Sequence, residues 1–117
     1  MKRNGMYTNE WGTKSWWLND KLHREDGPAI ERVNGTKRWF VNGKIHREDG
    51  PAVIRASGTK EWHVNGKKHR LDGPAVEWAN GDNAWYVNGK YYASFDHWLE
   101  AINVSDEQKM FLKLKWA

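Results

Sequence analysis

The chain repeats itself every 23 residues, and that period decides most of what it can fold into. Trp16, Trp39, Trp62 and Trp85 stand 23 apart, as do Gly12, Gly35, Gly58 and Gly81. His23, His46 and His69 keep the spacing, and so do the Asp-Gly-Pro-Ala blocks that begin at Asp26, Asp49 and Asp72. Such a chain stacks each unit on a copy of itself. The units fall at about residues 7–29, 30–52, 53–75 and 76–92, so residues 1–93 read as a repeat array and residues 94–117 as a separate segment.

Each unit reads as hairpins. Asn34-Gly35 and Asn42-Gly43 are both two-residue turn signals, because Asn-Gly tolerates the positive φ angles such turns need. Thr36-Lys-Arg-Trp-Phe-Val41 between them is rich in β formers. With two-residue loops at both turns, Ile30 faces Trp39 and Trp39 faces His46, while Ala29 faces Phe40 and Phe40 faces Ile45. Two rows of side chains result. The first holds Trp16, Trp39, Trp62 and Trp85 with His23, His46 and His69, and is almost constant. The second holds Trp17, Phe40, His63 and Tyr86, and varies. Constancy marks the first row as a structural ladder; variation marks the second as the candidate recognition face. Trp78, which breaks the Arg32–Arg55 row, joins it as a candidate binding residue.

The remaining segment changes period. Ser94 is placed to cap a helix carrying Phe95, Trp98, Leu99 and Ile102, and Ser105-Asp-Glu-Gln108 is a capping box before Met110, Phe111, Leu112, Leu114 and Trp116. The expected fold is therefore mainly β: a single-sheet meander of repeated hairpins with two short C-terminal capping helices. Capping protects the sheet edge.

Composition narrows function mostly by exclusion. With no cysteine, the chain has no disulfide, thiolate metal site or cysteine nucleophile, which suits a reducing, cytoplasmic setting. No apolar run approaches the ~20 residues of a membrane span, and no apolar segment follows Met1-Lys-Arg-Asn-Gly5 to make a signal peptide. The net charge of +4 permits an anionic partner, but acids interrupt the bases, as in Arg24-Glu25-Asp26, which argues against a specific nucleic-acid track.

His-Arg-x-Asp occurs three times, at His23, His46 and His69, and superficially resembles a kinase catalytic loop. The Gly-rich phosphate loop and the later Asp-Phe-Gly are missing, and a copied active site is unexpected along a solenoid. A structural role for each Asp, Arg and His is simpler. The histidines sit one repeat apart, roughly 10 Å or more, too far to share one zinc ion, so no metal and no cofactor is expected. No serine has a nucleophile-elbow setting, and no enzyme is expected. Arg24, Arg47 and Arg70 recur near the second-row aromatics, an arrangement suited to stacking a base beside a guanidinium-held phosphate or to a protein-binding surface.

The period, the hairpins and the Trp-x-x-Asn-Gly-Lys motif, as in Trp39-Phe-Val-Asn-Gly-Lys44, resemble the MORN repeat class over roughly residues 7–92. The His-Arg-Glu-Asp-Gly-Pro-Ala block departs from the ordinary consensus and is similar to divergent MORN-like proteins of large tailed phages and giant viruses; Phe111-Leu-Lys-Leu-Lys115 is similar to the endings of such small phage proteins. The resemblance implies a binding scaffold. The expectation is a non-enzymatic interaction module, phage-encoded, that binds a host protein of bacterial defence in the host cytoplasm and inhibits or redirects it. The alternatives are a sponge for a nucleotide-type immune signal and a scaffold for nucleic acid or anionic membrane. Oligomerisation is left open.

Overall fold

A computed structural model describes residues 2–117. The first repeat supplies strands β1 (Gly5–Thr8), β2 (Lys14–Leu18) and β3 (Lys21–Leu22). The second supplies β4 (Ile30–Glu31), β5 (Lys37–Arg38), β6 (Phe40–Val41) and β7 (Lys44–Ile45), and the third β8 (Val53–Ile54), β9 (Lys60–Glu61), β10 (His63–Val64) and β11 (Lys67–Lys68). The fourth supplies β12 (Val76–Glu77), β13 (Asn83–Val87) and β14 (Lys90–Tyr92); helices α1 (Phe95–Ala101) and α2 (Asp106–Trp116) follow. The molecule measures 50 × 28 × 20 Å, with a radius of gyration of 16.2 Å. A compact chain of similar length has about 13 Å. It is a rod, as one-dimensional stacking requires.

The fold is the meander that the repeat predicts. Antiparallel strands run β1-β2-β4-β5-β8-β9-β12-β13-β14, with β3 on the far half of β2. The central strand of each repeat serves two neighbours. Its first half joins the long sheet and its second half pairs with the short strand that follows. In the second and third repeats the ladder breaks at Trp39 and Trp62, so β6–β7 and β10–β11 stand as separate two-stranded ribbons.

The two turns differ in kind. Asn42 and Gly43 both have positive φ, 50° and 80°, the mirror-image turn expected of a two-residue loop, and Phe40 duly faces Ile45. At the other turn only Gly35 is positive, at 95°. Arg32 N–H donates to Thr36, Gly35 N–H donates to Arg32, and Asn34 Oδ1 accepts from Thr36 N–H. This is a three-residue loop closing on a glycine bulge, which moves the register by one residue. Ile30 therefore faces Arg38, not Trp39. The same slip sets Val53 opposite Glu61, Val76 opposite Ala84 and Met6 opposite Trp16. A one-residue slip exchanges faces. Ile30, Val53 and Val76 thus leave the tryptophan row and join the second face.

Successive repeats are stitched through both turns. Gly43, Gly66 and Gly89 N–H groups each donate at 2.8 Å to the preceding repeat, and the buried Thr36 and Thr59 hydroxyls accept from Ala56 and Ala79 of the following one. Ser94 and Ser105 cap the helices as expected, the second through a complete capping box with Gln108. Both helices lie on the tryptophan face of the last repeats. Trp98, Leu99, Ile102 and Leu112 bury Trp85, with Val87, Tyr92 and Trp116 packed around them.

Candidate functional site

The His-Arg-x-Asp-Gly-Pro-Ala block builds one cassette three times. Arg47 lays its guanidinium over the Trp39 ring at 4.1 Å, donates from Nε to Asp49 at 2.9 Å and from Nη1 to the Pro51 carbonyl at 3.0 Å. Arg24 over Trp16 (3.8 Å) and Arg70 over Trp62 (3.7 Å) repeat it. A planar five-donor head is what can stack and fork at once. The Arg47 guanidinium beside Asp49 holds that carboxyl below its ordinary range. Gly50 leaves this seat free: a Cβ there would stand 2.9 Å from the Arg47 guanidinium carbon, so the guanidinium would have to shift.

The histidines join repeats. His23, His46 and His69 accept through Nδ1 from the backbone N–H of Asn42, Asn65 and Asn88 in the next repeat, at 3.0, 2.9 and 2.9 Å. It is arginine, not histidine, that stacks on each Trp, and the Asp carboxylates accept from the Nε of their own Arg. Burial pushes His69 down from its ordinary value.

The expected grouping of arginines with second-row aromatics is not formed. Arg24, Arg47 and Arg70 lie on the tryptophan face, while Trp17, Phe40, His63 and Tyr86, one residue further along the strand than each Trp, lie on the opposite one. A stacked base with an arginine-held phosphate is thereby lost as an arrangement. The second face has its own chemistry. Trp17 donates from its indole to Ser15 at 2.8 Å and carries Arg3 over its ring at 4.4 Å. Phe40 is half-buried. His63 is only 8% exposed, and its Nε2 lies 3.1 Å from Glu61, which also accepts from Arg55 Nη2 at 2.7 Å. Those hydrogen bonds and charges lower Glu61 to about 2. Tyr86 packs on Tyr91 with ring centres 5.5 Å apart and Lys68 above it. Trp78 takes the repeat position of Arg55 and is 44% exposed.

Among the described residues, the buried side-chain polar atoms lacking a hydrogen-bond partner are Arg38 Nε and His63 Nδ1, both on this second face. Its Ser15, Arg38, Glu61 and Ala84 positions also differ in every repeat. The Glu61–His63–Arg55 group, which sequence reading missed, needs the i, i+2 alternation of Glu61 and His63 and the corrected register to be seen. Among the described residues, no helix is long and apolar enough to cross a membrane. No protein-family model matches the chain, and no curated protein matches it in sequence.

Proposed function

We propose that the chain is a non-enzymatic, MORN-like protein-interaction module whose partner docks on the Trp17–Phe40–His63–Tyr86 face. One observation carries this reading. The helices pack on the tryptophan face around Trp85 and Trp98, while Trp17, Phe40 and Tyr86 of the variable row stay partly exposed on the opposite face and His63 is buried there. A rigid frame with one aromatic position per repeat, altered from unit to unit, is suited to a single specific surface. Lys68 and Arg3 set cations beside Tyr86 and Trp17, so the preferred partner surface is acidic. The likeness to phage proteins makes a host defence protein the partner to seek.

The test is affinity capture from bacterial lysate. Wild-type chain retains a stoichiometric protein; Trp17→Ala and Tyr86→Ala each lose most of it with unchanged melting temperature. Failure to retain any stoichiometric protein, or retention untouched by both substitutions, refutes the reading.

A further inference from the structure

The tryptophan face of the earlier repeats is open. One cleft of about 870 Å³ has Trp62, Val64 and His69 as its floor, loops 47–50 and 70–72 as two walls, and α2 as the third. A second, of about 700 Å³, repeats this one unit earlier over Trp39, Val41 and His46, between loops 24–27 and 46–49. The fourth repeat shows what fills such a place. Its floor, Trp85, Val87 and Tyr92, lies under the chain's own helices. Trp98 packs on Trp85 with ring centres 4.7 Å apart and donates its indole N–H to the Arg70 carbonyl; Trp116 donates to the Asp72 carbonyl. Ala93 stands where the earlier repeats have arginine, so aromatic rings take the guanidinium's place. No indole reaches the equivalent carbonyls of Arg47 and Asp49, or of Arg24 and Asp26, among the described residues.

The walls differ in charge. The covered loop reads His-Arg-Leu-Asp, with Leu71 toward α2, whereas the open loops carry Glu25 and Glu48, whose side chains are 86% and 80% exposed. A helix for the open clefts is therefore apolar on one face and basic at its flanks. The chain carries one. On α2, Met110, Phe111 and Leu114 are 64%, 63% and 80% exposed at i, i+1 and i+4, flanked by Lys113 and Lys115; Phe111 and Lys115 also form the edge of the chain's own first cleft, so the strip runs on from the cleft mouth. Three large apolar side chains exposed side by side on one helix form a strip suited to an interaction.

We infer that the exposed Met110–Phe111–Leu114 face of α2 seats in the open tryptophan-face cleft of a second copy of this chain, its lysines against Glu25 and Glu48, making a two-fold dimer. Each copy supplies a helix and a cleft, the self-complementary pattern of such dimers. Sedimentation velocity across the micromolar range tests this on the full chain. The expected result is a monomer–dimer equilibrium. Leu114→Glu and Glu48→Lys, both at exposed positions, each raise the dissociation constant at least tenfold, with circular dichroism and melting temperature unchanged. Lys113→Glu combined with Glu48→Lys recovers most of the lost affinity. A monomer throughout the range overturns the inference. So does a dimer insensitive to both Leu114→Glu and Glu48→Lys, which would place the contact elsewhere, and so does a foreign helical protein that binds the cleft in preference to a second copy. Each outcome is separable from the lysate capture, which reads the opposite face.

Discussion

Gly50→Ala isolates the cassette that holds the repeats. The added Cβ would stand 2.9–3.2 Å from the carbon and two nitrogens of the Arg47 guanidinium, its three nearest neighbours. Gly50 does not have positive φ, so alanine brings no backbone strain. The cost is thus the displacement of Arg47 from its seat, and Arg47→Ala sets its ceiling. The stack on half-buried Trp39 contributes about 0.5–1 kcal/mol. The charged hydrogen bond to the Pro51 carbonyl contributes about 1.5–3 kcal/mol. The Asp49 carboxylate is solvated, and its pairing adds little. Complete loss of the seat on Gly50→Ala should then destabilise by about 2–4 kcal/mol, roughly 8–16 °C in melting temperature for a chain of this length.

The decisive comparison is the double substitution. Once Arg47 is alanine, the three nearest obstacles to the Gly50→Ala methyl are gone and the substitution chiefly restricts the unfolded chain, so it becomes neutral or stabilises by about 0.4–1 kcal/mol. Denaturant unfolding of the four proteins therefore gives a coupling energy of about 2 kcal/mol or more. An equal cost of Gly50→Ala in both backgrounds would falsify the claim that this glycine exists to seat the guanidinium.

Four further outcomes follow from the geometry. At Gly73 a Cβ also meets Trp116 at 2.8 Å, so Gly73→Ala stays destabilising when Arg70 is alanine; rescue there would detach α2 from the cassette. Trp85, buried at 8% exposure among Phe95, Trp98 and Trp116, should cost about 3–5 kcal/mol as alanine, and half-buried Trp39 clearly less by the same thermal melts. Glu61, lowered from 4.5 to about 2, binds fewer protons folded than unfolded, so its stabilisation is complete above about pH 4.5 and vanishes as pH falls toward about 2. The gap between wild type and Glu61→Gln, at most about 3 kcal/mol at neutral pH, should close over that interval in acid titration; a constant gap counts against the ion pair. His69, lowered by burial, likewise stabilises fully above its ordinary 6.5 and loses this as pH drops through its folded value. His69→Asn keeps an acceptor for Asn88 N–H and should flatten the pH dependence just below 6.5, with stability at pH 8 within about 1 kcal/mol of wild type; an unchanged slope refutes it.

The 23-residue period was legible because stacking forces identical contacts onto identical residues. The Asn42-Gly43 turn, the helix caps at Ser94 and Ser105 and the strand meander all rest on local chemistry, so each could be read in place. The slip at Asn34-Gly35 rests on which residue takes positive φ, and Asn-Gly suits both answers. In the second repeat Asn34 Oδ1 supports the three-residue loop by accepting from Thr36 N–H. The equivalent slip in each repeat sends Ile30, Val53 and Val76 to the other face and sets Arg38 and Glu61 opposite Ile30 and Val53, on the face that Glu61 already shares with His63 two residues on.

The arginines were misplaced for a related reason. Sequence distance puts Arg47 seven residues from Phe40 and eight from Trp39, and nothing in that difference selects a ring. What selects it is the block after the arginine. Asp49 and the Pro51 carbonyl hold the guanidinium on the tryptophan side, and Gly50 vacates the volume it needs. A motif that looked like exposed chemistry is therefore the means by which a thin sheet covers its own tryptophans. In the fourth repeat, where Ala93 ends the pattern, Trp98 must supply from a helix the cover that arginine supplies elsewhere. The capping helices are thus required by the missing arginine as much as by the sheet edge, and an Ala93→Arg chain should gain nothing, because Trp98 already occupies the ring.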